Sequence, residues 1–430
     1  DVITIEVKRA NQSFTFKDGK NISKLYGTLS YKNDVVNTVV AGAADGKGYS
    51  TSEPTYAIIG ENNIGVELKA DGTIEFTDSV GKVGKITIQA TKAPDDCYEG
   101  FSDTYELELS YLETSDKPVV SGDKTDSAND WYTGNVKINA PAGYQISTTN
   151  ELTSSAWGES VPYSTEKIGD ATVYLKNSEG FITDAIVVSD IKLDTSAPVD
   201  LAIEYEKSFI DVALEGVSFG IYKAKTLAVT LKATDTSSGI NSFVYSVGGK
   251  EVTVNNTDIK IAADGQATYT FIIDSDMRSK ISFKAIDVAG RVSEKKENGQ
   301  TLVVDLTAPE ITVSYDYGEN TPYLVEDVTY TQGEFVAEFK ITEENFDLAK
   351  ANGTLPEVII NDMSVALTWT EASTGVWEAS QVVKTAGINE IVVKYTDLSD
   401  NTMEEYTNKI CIDGVKPVLS VKFDNSESDG

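Results

Sequence analysis

Histidine does not occur in these 430 residues. Its absence removes Ser-His-Asp and Cys-His catalysis and takes away the commonest zinc ligand. Cysteine is nearly missing too. Cys97 and Cys411 lie far apart and in different segments of the division given below, so an intradomain disulfide is not expected. Basic residues number 36 against 68 acidic ones, a formal charge of −32. Such a surface repels phosphates and anionic lipid headgroups, which excludes nucleic acid as a partner. No apolar run approaches the roughly 18 residues that span a bilayer, so no membrane insertion is expected of this stretch. No basic, apolar leader opens the chain, which reads as an excised fragment.

Helical periodicity is scarce as well. The best stretch, ENFDLAKANG (344–353), allows one or two turns. What fills the chain instead is alternation. Ile86, Ile88 and Ala90 alternate with polar residues, as do Tyr105, Leu107, Leu109 and Tyr111. Leu227, Val229, Leu231 and Ala233 form another such row, and so do Tyr269, Phe271 and Ile273, Ile281, Phe283 and Ala285, and Phe335, Ala337, Phe339 and Ile341. Period two marks strands with one buried and one wet face. The opening VITIEVK reads the same way through Ile3, Ile5 and Val7, and VELKADGTIEF (66–76) carries an Asp-Gly hairpin signal. The chain is expected to be all-β.

Proline punctuates it. Pro118, Pro198, Pro309 and Pro417 each stand between two alternating runs, about 80 to 110 residues apart, the size of an immunoglobulin-like sandwich. Proline donates no backbone hydrogen bond and holds the preceding residue extended, so each site reads as a short, stiff joint. The division follows: segments 1–114, 115–197 (the smallest), 198–308 and 309–416, with 417–430 opening a further, truncated one. At about 33 Å per ten-residue strand, four sandwiches in line make an extended, semi-rigid rod.

Several motifs resemble the bacterial immunoglobulin-like (Big-type) repeats of large Gram-positive surface and adhesin proteins. GTIEF (72–76) with GKITIQATKAPDDCYEGFSDTYELEL (84–109) is similar to the group 2 pattern, with Cys97 where that pattern usually has Asn. DWYTGNV (130–136), GYQIS (143–147) and KLDTSAP (192–198) resemble a second repeat type. DTSSGI (235–240), AIDVAGR (285–291), EENFD (343–347) and YTDLSDN (395–401) resemble related ones. The resemblance implies a non-catalytic stalk and binding scaffold on the bacterial cell surface, wall-attached or secreted, working as a monomer in adhesion or host interaction. Two alternatives remain open: direct capture of a host protein such as a secreted immunoglobulin or a mucin, and a carbohydrate-binding accessory region of a polysaccharide-degrading enzyme.

No catalytic signature emerges. Ser-x-x-Lys recurs, at Ser121 with Lys124 and Ser164 with Lys167, without the companion motifs that would give it meaning. No cofactor is expected. Calcium is the one ion the composition admits, through acidic clusters at 122–130, 274–276 and 397–401, although Asp287 and Asp397 read first as caps of their own turns. A sugar face, if present, falls in the second segment, on Trp131, Tyr132, Tyr144 and Trp157; Trp369 and Trp377 read as core. A Lys–Asn isopeptide crosslink, found in some domains of this group, has no locatable pair, and the sequon Asn11-Gln12-Ser13 is expected to be idle.

Overall fold

A computed structural model describes residues 3–43, 45–76, 81–126, 129–416 and 418–422. The chain is an all-β tandem of immunoglobulin-like sandwiches with one short helix among the described residues. It divides into two compact units, residues 1–196 and 197–430.

In the first unit, strands Gly84–Lys92 and Phe101–Ser110 pair antiparallel, Ile86 opposite Leu107 and Ile88 opposite Tyr105. The alternating residues of both strands point into one core with Phe14, Phe16, Tyr26, Ile64 and Ile74. The Asp-Gly hairpin forms as expected, joining Glu67–Leu68 to Ile74–Glu75 with Gly72 at φ 86°. A second core gathers Val136, Ile138, Ile146, Val173, Leu175 and Leu193 between two three-stranded sheets.

The opening residues differ from expectation. Residues 3–9 form no strand, and Ile3, Ile5 and Val7 are 79–87% exposed. Alternation makes a strand only where a neighbour supplies hydrogen bonds, and the first pairing here is the bridge from Ala10 to Tyr98. Residues 418–422 likewise carry no strand; Pro417 and 423–430 lie outside the described residues.

The second unit also has two cores. One is built on Leu227–Thr234, Gln266–Ile273, Ile240–Val247 and Ser282–Asp287. The other lies between the sheet of Glu310–Asp316, Phe335–Thr342, Val376–Val383 and Thr370–Ser373 and a six-stranded sheet. Helix Phe346–Asn352 sits in this second core, closed by Gly353 at φ 80°. Phe346 packs on Trp369 and Trp377 at ring-centroid distances of 5.6 and 5.3 Å, so both tryptophans are core residues.

Residues 113–118, 194–198 and 305–309 carry no strand, and strands start directly after Pro118, Pro198 and Pro309. The proline stretches are short strand-free connections. Within each unit, however, the sandwiches are packed rather than strung. Ile182 of the second segment is fully buried in the first core, donates its N–H to the Tyr26 carbonyl at 2.9 Å and accepts from Leu112 at 2.9 Å. Val212, Phe219, Ile221 and Val303 of the third segment belong to the core of the fourth. Apolar side chains at sandwich ends bury one another, and a joint of a few residues keeps them within reach.

One pairing recurs. An early strand runs parallel to the last strand of its segment: Asn21–Leu25 beside Phe101–Ser110, Val217–Tyr222 beside Thr301–Val304, and Val328–Thr331 beside Tyr406–Ile412.

Candidate functional site

The third and fourth segments meet at a cluster of acids that no single motif announces. Asp305 stands one residue past strand Thr301–Val304, in the joint before Pro309. Glu343 follows strand Phe335–Thr342, and Asp397 follows Gly387–Lys394. All three are buried, at 6%, 5% and 6% exposure, and one carboxylate oxygen from each lies within 4.8 Å of the other two.

Backbone geometry holds each of them. Asp305 Oδ1 accepts the Thr307 N–H at 3.1 Å and its Oδ2 accepts the Asn345 side-chain amide at 2.8 Å. Glu343 Oε1 accepts the Asn345 N–H at 2.8 Å. Asp397 Oδ1 accepts the N–H groups of Ser399 and Asn401, both at 2.8 Å, so the turn-capping role read from sequence is present. Asn401 then links the elements: its Nδ2 donates to Asp397 Oδ2 at 2.9 Å and to the Asp305 carbonyl at 3.0 Å. Asp276, from the acidic run 274–276, anchors the joint by accepting from Leu306 N–H and Thr307 Oγ1, each at 2.6 Å.

The electrostatics are those of crowded anions. Burial pushes the Glu343 carboxyl well up from its ordinary range, and the charges of Asp305 and Asp397 push it further, against the Asn345 N–H. Burial also raises Asp397, opposed by the Asn401 hydrogen bonds. Nearby cations are engaged elsewhere: Arg278 with Asp347, Lys223 with Asp400, Lys225 with Asn401 Oδ1. Among the described residues no ion pair reaches the three carboxylates. Groups so placed either share protons or gather around a cation.

Two polar atoms beside the cluster are unsatisfied. The Tyr395 hydroxyl is buried without a hydrogen-bond partner, although its side chain is 4% exposed and feels all three carboxylates. Asn345 Oδ1 is buried and unpartnered as well. A cavity of about 230 Å3 opens onto Asp305, Glu343 and Asn345.

The second-segment aromatics do not form one face. Tyr132 pairs with Leu193, and Lys167 pairs with the same Leu193 at one end of strand Lys167–Asn177; Tyr144 pairs with Asn177 at the other. The two ends are about 30 Å apart. Trp131 stays beside Tyr132, half-buried, its backbone N–H donating to Asn129 Oδ1 at 3.0 Å. Lys124 lies 4.7 Å above the Tyr132 ring. Trp157 joins the Tyr144 end: it packs on the first core, donates Nε1–H to the Glu151 carbonyl at 2.8 Å and carries Lys176 at 4.6 Å above its ring. Tyr144 donates to Thr114 Oγ1 at 3.1 Å and shares an open cavity of about 560 Å3 with Lys176.

Asp305 and Glu343 were missed in sequence because a joint needs only its proline. The signal was there: Asp194, Asp305 and Asp413 each precede a proline by the same interval, which stiffness does not explain.

No family model matches this chain, and no curated protein sequence does. Solved structures that it resembles are tandem modular proteins. They include the fibronectin(III)-like modules of Clostridium thermocellum CbhA, at 10% identity over 49% of this chain and 94% of that one, TM-score 0.19. The four-domain ICAM-5 ectodomain fragment matches at 7% over 93% and 100%, TM-score 0.33. A structure from a 1.5-MDa bacterial ice-binding adhesin, described in terms of host cell surface retention, matches at 14% over 70% and 100%, TM-score 0.23. The architecture given above rests on the sheets themselves. No helix among the described residues is long and apolar enough to cross a membrane.

Proposed function

We propose that this chain is a force-bearing stalk and binding scaffold of an extracellular bacterial surface protein, with no chemistry of its own. The observation that carries the reading is the parallel pairing of an early strand with the last strand in three segments. The chain leaves each of these segments along a parallel neighbour from near its start, so tension that reaches the pair loads the ladder hydrogen bonds side by side. A terminal antiparallel hairpin would instead open them one at a time. Forced unfolding is governed by the unfolding barrier, and shear raises that barrier. The packed sandwich ends within each unit favour the same role, because they limit bending at the joints. The charge of −32 keeps neighbouring copies apart.

The test is single-molecule extension of the full chain tethered at its two ends. Sandwich-sized steps at sustained high force support the stalk; smooth extension at low force ends it.

Direct capture of a host protein is a second reading, favoured by one edge. Strand Tyr323–Val325 ends the six-stranded sheet, pairs among the described residues only with Val328–Thr331, and exposes Tyr323, Leu324 and Val325 at 48–69%. An open edge of this kind accepts an added strand. Binding of purified secreted immunoglobulin or mucin that is lost in Leu324→Lys supports it. The carbohydrate reading, with aromatics divided between two ends of a strand, is tested by a glycan array with the full chain and fails if no glycan binds.

A further inference from the structure

We propose that Asp305, Glu343 and Asp397 bind one calcium ion, which ties the joint before Pro309 to two loops of the sandwich that follows it.

The first support is the cluster itself. Three carboxylates at 5–6% exposure face one another within 4.8 Å, with no lysine or arginine paired to any of them among the described residues. Like charges in a medium that screens poorly repel strongly, so the arrangement needs positive charge at its centre or protons on its members. Protons alone leave something over. The Tyr395 hydroxyl, on a side chain 96% buried two residues before Asp397, has no hydrogen-bond partner. Asn345 donates through its amide to Asp305 while its carbonyl oxygen is buried and unpartnered. Both are neutral oxygens of the kind calcium takes as ligands.

The donor set selects the ion. Every candidate ligand is oxygen, and neither histidine nor cysteine is near, which disfavours zinc and suits a hard cation. Three oxygens within 4.8 Å of one another leave a point no more than about 2.8 Å from each. Calcium accepts irregular oxygen shells at 2.3–2.6 Å, whereas magnesium demands near-ideal octahedral geometry and keeps most of its waters, so ligands drawn from three separate loops suit calcium better. The cavity beside Asp305, Glu343 and Asn345 gives an entry path and room for completing waters.

The ion would act on the joint. Asp305 belongs to the third segment's exit, whereas Glu343 and Asp397 belong to the fourth segment, so shared coordination stops the joint from swinging. The inference does not rest on the stalk reading, since cation binding is measured without force.

The full chain, stripped with EDTA, is melted with and without 1 mM CaCl2 or MgCl2, and sensitised terbium luminescence is read beside it. Calcium should raise the melting of the 197–430 unit by about 5–10 °C at a hundredfold excess over Kd, magnesium by less. Glu343→Gln keeps the hydrogen bond to Asn345 N–H and removes the charge. It should shrink the calcium shift and the terbium signal while melting in EDTA as high as the wild type or higher. Asp305→Asn should behave alike and serves if Glu343→Gln does not fold. No calcium response in the wild type overturns the proposal, and so does an undiminished response in the folded variants.

Discussion

Arg278 and Asp347 meet fork to fork: Nη1 and Nη2 of the guanidinium donate to the two carboxylate oxygens at 2.9 and 2.7 Å. Both side chains are about one-quarter exposed, and the guanidinium also lies 4.9 Å from the Phe219 ring centroid. The pair links strand Met277–Ser279 of the third segment to helix Phe346–Asn352 of the fourth. Bidentate, partly desolvated geometry lifts it above ordinary surface pairs. A double-mutant cycle with Arg278→Ala and Asp347→Asn in urea should return a coupling of about 1–2 kcal/mol. Arg278→Lys should recover less than half of it, because an ammonium cannot make the fork. A coupling near zero would make the contact incidental.

At Gly27 the backbones of the first two segments come close together. A Cβ there would stand 2.3 Å from the Gly180 carbonyl oxygen, at a backbone φ of 116° that side chains disfavour. Gly27→Ala should cost about 3 kcal/mol or more and loosen the hydrogen bond from Ile182 N–H to the Tyr26 carbonyl. Gly180→Ala, at φ 92° with nothing within 4 Å of its Cβ, should cost only the backbone strain, about 1–2 kcal/mol. Hydrogen exchange at Ile182 separates the two outcomes.

Phe346 is fully buried beneath Trp369, Trp377 and Tyr395. Phe346→Ala should destabilise the second unit by about 3–5 kcal/mol and flatten the near-ultraviolet tryptophan signal. A loss below about 1 kcal/mol would mean that the helix is not part of the core.

Acid stability should depend on Asp45. Backbone N–H groups of Gly48 and Lys47, with the Tyr98 hydroxyl, hold its carboxyl down to about 2. Asp95 is lowered too, by the Ser50 hydroxyl and by the Cys97 and Tyr98 N–H groups. Between the ordinary carboxylate value near 4 and that lowered value, the unfolded chain binds more protons than the folded one. The stabilisation is therefore full above about pH 4 and is lost as pH falls towards about 2. Wild type should exceed Asp45→Asn in stability at pH 6, with the gap closing by pH 2. A gap constant across that range would contradict the assignment.

Much of this molecule was readable locally. Rows such as Leu227, Val229, Leu231 and Ala233 are fully buried because alternation is written residue by residue. The same rule failed at Ile3, Ile5 and Val7, where pattern exists without a pairing neighbour. Asp397 was legible as a turn cap because its partners lie two and four residues away.

Strand periodicity, proline joints, the short helix and the acidic surface were determined by sequence alone, since each depends on neighbours a few residues apart or on composition. The packing of sandwiches into two units, the separation of Tyr132 from Tyr144 and Trp157, and the meeting of Asp305, Glu343 and Asp397 were decided only by the tertiary fold. Those contacts join residues tens of positions apart, where side chains converge because apolar ends are buried and strands end at a common pole. No local pattern of hydrophobicity or charge encodes that convergence.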